Sequence, residues 1–119
     1  MNVLRLSKRS LQKILGGAVN DEATCMIKFY SNTCHYCKNL QDVYEEVAAN
    51  HEDIHFFAFN IEDYPAVQKV MKFKGVPTIA LIKAGTNQPK IRLIEEPKKR
   101  NKKSWYVQKD IEDFIEKEK

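Results

Sequence analysis

Phe29-Tyr30-Ser31-Asn32-Thr33-Cys34-His35-Tyr36-Cys37-Lys38 is the stretch that decides the fold. Just upstream, the apolar run Cys25-Met26-Ile27-Lys28-Phe29-Tyr30 reads as a strand. Downstream, Leu40, Val43, Tyr44 and Val47 recur at helical spacing, which predicts a helix to about Asn50. The two thiols of Cys34-His35-Tyr36-Cys37 therefore sit where a strand gives way to a helix. Thiols at this spacing can close a small disulfide ring, and the free amide N–H groups and dipole of a helix start stabilise a thiolate. That is the chemistry of a dithiol/disulfide exchanger. Three cysteines in all are too few for a disulfide scaffold, so the pair reads as redox or metal chemistry. Zinc needs about four ligands, and His51 or His55 would have to arrive from a different element; redox is the stronger reading, with no metal. Cys25, within a strand, is expected to be a small core hydrophobe.

Working outward, residues 3–6 read as a short strand and Ser7 as the cap of a helix carrying Leu11, Ile14 and Leu15, stopped by Gly16-Gly17. Residues 54–60 are almost continuously apolar, as suits a strand covered on both faces. Pro65 fits the first turn of a third helix, with Val67, Val70 and Met71 as its buried stripe and Gly75 at its end. Residues 78–83 form a fourth strand, 84–89 a turn, and 90–95 an alternating fifth strand. Val107, Ile111, Phe114 and Ile115 mark a last amphipathic helix. The order βαβαβαββα predicts an α/β fold. Its five-stranded mixed sheet has a mostly parallel centre and an antiparallel hairpin at one edge, flanked by helices. Phe56, Phe57, Phe59, Phe73 and Phe114 fall at core spacing and receive no functional role, nor do His51 and His55.

The 119 residues suit a single domain over 1–119, and 43% hydrophobic with 30% charged residues is the balance of a soluble globular protein. No apolar run approaches the roughly 20 residues of a membrane span. The first ten residues are too polar for a signal-peptide core, which leads us to expect a cytoplasmic protein without membrane contact. Lys98, Lys99, Arg100, Lys102 and Lys103 place five cations within six residues; the net charge is +4, so the rest of the chain sums to −1. This basic loop is either a solvated connection or a docking patch for an acidic partner or nucleic acid. Nucleic acid is disfavoured, because only Trp105 and Tyr106 lie nearby for stacking.

Together with Asn60-Ile61-Glu62 at the end of the third strand and Gly75-Val76-Pro77-Thr78, the motif resembles the thioredoxin fold over nearly the whole chain. The final stretch from Trp105-Tyr106 onward looks most like the last helix of protein disulfide isomerase domains. The resemblance implies a thiol–disulfide oxidoreductase with no bound cofactor. Cys34 would attack and Cys37 resolve. Pro77 would hold its preceding peptide cis, and Val76 would offer its backbone to an extended substrate. Thr33 and Tyr36 would complete the groove. Partners would be disulfide-containing proteins and, as electron donor, a reductase or small thiol; a monomer is expected. A non-catalytic module docking an acidic partner through residues 98–103 is the alternative.

Departures from the family pattern carry information. Thr33 stands where thioredoxins usually have tryptophan, and the dipeptide between the cysteines is His-Tyr. Asp42 replaces the helix-kinking proline. Lys28 replaces the buried acid beneath the cysteines, and Ala58 the lysine often paired with it. Protonated His35 would stabilise the Cys34 thiolate and make the pair more oxidising; otherwise it is a surface histidine. Strand alternation puts Lys28 on one face with Met26 and Tyr30. There it would either accept the Cys37 proton with a depressed pKa, stay charged and stabilise thiolates, or snorkel to solvent. A cytoplasmic setting favours reduction, whereas Lys28 and His35 favour a less reducing pair. Trp105 and Tyr106 would either shape a substrate surface or pack the entry to the last helix.

Overall fold

The computed structural model describes residues 2–119. Five strands and four helices follow the expected order: β1 (Val3–Arg5), α1 (Lys8–Leu15), β2 (Ala23–Tyr30), α2 (His35–Ala49), β3 (His55–Asn60), α3 (Val67–Met71), β4 (Thr78–Ala84), β5 (Lys90–Leu93) and α4 (Gln108–Glu118). A single 3-10 turn, Ile61–Asp63, follows β3. The sheet order is β1-β3-β2-β4-β5. β1, β3 and β2 pair in parallel, and β4 and β5 add the antiparallel edge. No helix among the described residues is long and apolar enough to cross a membrane.

Strand alternation divides the core in two. Met26 on β2 and Ile79 and Leu81 on β4 face α2 and α4, where Leu40, Tyr44, Val47, Ile111, Phe114 and Ile115 pack. Ile27 and Phe29, with Ala80 and Ile82, face α1 and α3, where Leu11, Ile14, Val67 and Met71 pack with Phe59 and Phe73. Each fully buried large apolar side chain contributes roughly 1.5–3 kcal/mol, so the two half-cores clamp β2 from both sides and fix the strand that delivers the motif. Cys25 is buried among these strands, as its strand position predicts.

Two apolar residues depart from expectation. Val70 is 52% exposed and Val107 is 40% exposed. α3 is only five residues long, so Val67 and Met71 cover its inner face and Val70 falls outside. The helix stops not at Gly75 but at Lys72, which adopts the left-handed conformation (φ 63°) and returns its N–H to the Gln68 carbonyl. Pro65 accordingly precedes α3 instead of starting it. Val107 is the N-cap of α4, where its extended backbone (φ −99°) turns the side chain out of the buried stripe. Its N–H donates to the Asp110 carboxylate at 2.9 Å.

Candidate active site

The carboxyl ends of β2 and β3 and the start of β4 meet at one end of the sheet, because β2 and β3 are parallel and β4 is antiparallel to β2. That register brings Cys34 to Cys37, Asn60 to Glu62 and Val76 to Thr78 to one rim; Thr78, for instance, pairs with Phe29. Three side chains hold the loop before Cys34. The Asn32 N–H donates to the Glu62 carboxylate at 2.7 Å, and the Asn60 amide donates to Asn32 Oδ1 at 2.8 Å. Asn60 Oδ1 in turn accepts the Glu62 N–H at 3.0 Å. Asn60 is buried, so its amide must be satisfied locally, and it is.

Cys34 is the N-cap of α2, and its Sγ accepts the Cys37 N–H at 3.1 Å. It is half-buried, whereas Cys37 is 4% exposed, and the two sulfurs are joined as a disulfide. The sulfur of Cys34 thus occupies the place of an ordinary N-cap oxygen. A thiolate there would meet both a backbone donor and the positive end of α2. The preceding Thr33 and the following His35 are exposed.

Behind the disulfide lies an open cleft of about 640 Å³, lined by Lys28, Thr33, Cys34, His35, Cys37 and Tyr44 among others. Lys28 is at the position strand alternation assigns it, paired with Ala58 on β3 and Ile79 on β4. It is 5% exposed and does not snorkel. Its Nζ lies 5.3 Å from the Tyr44 ring centroid and 5.9 Å from that of Tyr30, and it makes no ion pair with a carboxylate among the described residues. Burial pushes its pKa down to about 8, opposed by the charge of Glu45.

Tyr36, Val76 and Pro77 do not line that cleft. The Val76–Pro77 peptide is cis, Pro77 is buried and Val76 half-buried. The Thr78 hydroxyl donates to the Gly75 carbonyl at 2.6 Å, and the Tyr106 hydroxyl reaches the Pro77 carbonyl at 3.5 Å. Tyr36 meets Trp105 edge-on at 5.1 Å between ring centroids. The structure therefore parts the singled-out residues into two sides of the disulfide. Lys28, Thr33 and His35 stand on the cleft side, and Tyr36 stands with Trp105.

His51 Nε2 is hydrogen-bonded to the Glu112 carboxylate on α4, and His55 lines a separate cleft with Glu22 and Lys83. Neither joins Cys34 and Cys37, and no group of three or more His, Cys, Asp or Glu among the described residues is placed to hold a metal. Sequence reasoning overlooked Asn32 and the bracing roles of Asn60 and Glu62. It also overlooked Asn39, whose amide donates to the Lys103 carbonyl at 2.9 Å. The available signal was weak: a polar Asn at the end of an otherwise apolar strand.

A family model described as Thioredoxin matches residues 3–112. A thioredoxin of Acidithiobacillus ferridurans is 31% identical over 61 residues, covering 50% of this chain and 56% of that protein, so the match spans about half of its length. Among solved structures, the Trx4 domain of ERdj5 superposes with TM-score 0.74 at 14% identity, over 98% of this chain and 95% of that one. Chloroplastic thioredoxin z superposes with TM-score 0.69 at 15% identity, over 98% and 94%. At these identities the structural likenesses speak to fold alone.

Proposed function

The chain belongs to the thioredoxin family, and from that premise we propose that it is a cytoplasmic thiol–disulfide oxidoreductase that reduces or exchanges protein disulfides through Cys34 and Cys37. The observation that carries this reading is the Cys34 sulfur at the N-cap of α2, hydrogen-bonded by the Cys37 N–H and half-open to solvent, with Cys37 buried behind it.

In the dithiol form, the Cys34 thiolate attacks one sulfur of a target disulfide. A Cys34–target S–S bond forms, and the other target sulfur leaves with the electron pair and takes a proton. Cys37, deprotonated, then attacks the Cys34 sulfur; the Cys34–Cys37 bond forms and the second target sulfur departs as a thiolate. Two electrons have passed to the target, and a reductase or small thiol returns two to the pair. Run backwards, the same steps oxidise a dithiol. Thr33, Tyr36, Val76 and Pro77 frame the substrate, with the Val76 backbone as the edge for an extended segment.

Lys28 acts on this chemistry without touching the substrate. In its neutral form it is a base on the cleft side of Cys37; in its charged form it stabilises either thiolate. His35, exposed on the same wall, adds charge when protonated. Both raise the potential of the pair above that of a thioredoxin.

Two measurements test the reading. Cys37→Ser is expected to trap a covalent adduct with a disulfide-containing protein, released by dithiothreitol, while Cys34→Ser traps none. Equilibration in glutathione buffers gives the potential. A value well above the ~−270 mV of thioredoxin supports the tuning by Lys28 and His35, and a value at that figure makes both silent. Failure of Cys37→Ser to trap any adduct would sink the oxidoreductase reading.

A further inference from the structure

The basic loop is not a slack connection. Asn101 and Trp105 form a β-bridge, exchanging backbone hydrogen bonds of 2.9 and 3.0 Å. Asn101 Oδ1 accepts the N–H groups of Lys103 (2.9 Å) and Ser104 (3.1 Å) and the Ser104 hydroxyl (3.3 Å). Trp105 is held at φ 67°, a left-handed conformation that a tryptophan rarely adopts. Its Nε1–H donates to Glu96 at 2.9 Å, and the Arg100 guanidinium lies 5.0 Å over its ring. The loop is then pinned to the motif's own helix by Tyr36 against Trp105 and by Asn39 against the Lys103 carbonyl. On its other side Tyr106 reaches Pro77.

The chain thus folds its densest charge into a braced platform between the residue inside the cysteine motif and the cis-proline loop. All five cationic side chains are exposed, and none is within 4.0 Å of a carboxylate among the described residues. Five like charges held in one ordered loop repel one another, and the Glu96 carboxylate on the Trp105 indole offsets only part of that. A partner at the disulfide would supply the remaining counter-charge.

We propose that Lys98, Lys99, Arg100, Lys102 and Lys103 form a substrate-selecting surface, so that this protein acts preferentially on disulfides flanked by acidic residues in a polypeptide. The inference rests on the oxidoreductase reading and narrows its substrate class. Nucleic acid fits less well. Its binding combines an extended basic groove with open aromatic faces. Here the chain outside the loop sums to −1, and Trp105 is already committed to Tyr36 and Arg100.

The test compares three peptides that share one intramolecular disulfide, flanked by Asp and Glu, by Ser, or by Lys. The reduced protein is set against the variant Lys98→Gln/Lys99→Gln/Lys102→Gln/Lys103→Gln, which keeps Arg100 and so the packing on Trp105. Hydroxyethyl disulfide, uncharged, reports thiol chemistry alone. At about 0.02 M salt the natural protein is expected to reduce the acidic peptide about tenfold or more faster than the lysine peptide. The ratio should collapse near 0.5 M salt. The variant should bring the ratio close to one while keeping its rate with hydroxyethyl disulfide. Equal rates for the acidic and lysine peptides in the natural protein overturn the proposal, as does a preference that survives in the variant. An oligothymidylate that suppresses the acidic-peptide reaction at a lower concentration than a disulfide-free acidic peptide assigns the loop to nucleic acid instead. If hydroxyethyl disulfide itself does not react, the oxidoreductase reading has failed. The docking surface is then decided by Trp105 fluorescence, titrating Cys34→Ser/Cys37→Ser with the acidic peptide; no saturable change overturns it.

Discussion

Lys28 is a cation held against two tyrosine rings at 5% exposure, and burial pushes its pKa from 10.5 to about 8. The gap corresponds to roughly 3 kcal/mol against the charged form. The folded pKa is the lower one, so between pH 8 and 10.5 Lys28 holds its proton more in the unfolded chain and its contribution to stability rises with pH, while Cys25, Tyr44 and Tyr106, whose pKa values burial raises, contribute in the opposite sense. Below about 8 the cost is present in full; above 10.5 both states are neutral and it is gone. Lys28→Met keeps the volume and removes the charge. It is expected to stabilise the oxidised protein at pH 7 by about 1–3 kcal/mol, a gain that shrinks between pH 8 and 10.5 as Lys28 loses its charge in both states. Urea midpoints on both sides of that window check it, and a gain unchanged across it would clear the Lys28 charge as its source. The face on which Lys28 lies was legible from strand alternation alone. Tyr30 on that same face was legible in the same way, but the Tyr44 ring was not, because it reaches Lys28 from α2 across the sheet face.

At the scale of elements, periodicity and capping residues placed all nine strands and helices among the described residues. Ser7, Cys34 and the run Ile54 to Asn60 each act where their chemistry puts them. The misreading of Val107 came from its place as the N-cap of α4 and not within it, and the misreading of α3 came from an element too short for its period to be read. α3 has barely more than one turn, so a stripe of three could not be told from a pair at i and i+4. One close approach was invisible in the sequence. After α1, Gly17 turns back at φ 70°, and a Cβ there would lie 2.6 Å from the Asn87 carbonyl oxygen in the β4–β5 turn. Gly17→Ala is expected to cost about 1–3 kcal/mol, since both the left-handed backbone and the contact oppose it. Gly16→Ala is the milder control, at φ −89° with its Cβ 3.1 Å from the Gln12 carbonyl. Chemical denaturation of the pair measures the difference, and equal losses would show that the Asn87 approach yields cheaply.

Across the whole molecule, the convergence of motif, Asn60–Glu62 and Pro77 at one sheet end followed from the order of strands, so the rim of the site was legible. The docking of the basic loop on Tyr36 was not, because it rests on a left-handed tryptophan and contacts between residues far apart in sequence. Folding and redox state then share one thermodynamic cycle. The difference in unfolding free energy between the disulfide and dithiol forms equals the difference in reduction potential between native and unfolded chains, at about 30 mV for each 1.4 kcal/mol. In the disulfide form, Glu45 is the acid that favours the charge on Lys28. A Cys34 or Cys37 thiolate would add an anion to the same cleft and relieve part of the lysine's cost. Lys28→Met should therefore stabilise the disulfide form more than the dithiol form and lower the native potential, by about 20–40 mV. Urea unfolding of both forms and equilibration in glutathione buffers measure the two legs independently, and the cycle requires them to agree. Equal stabilisation of both forms, or a potential that rises, would mean that Lys28 is buried beside the thiols without being coupled to them.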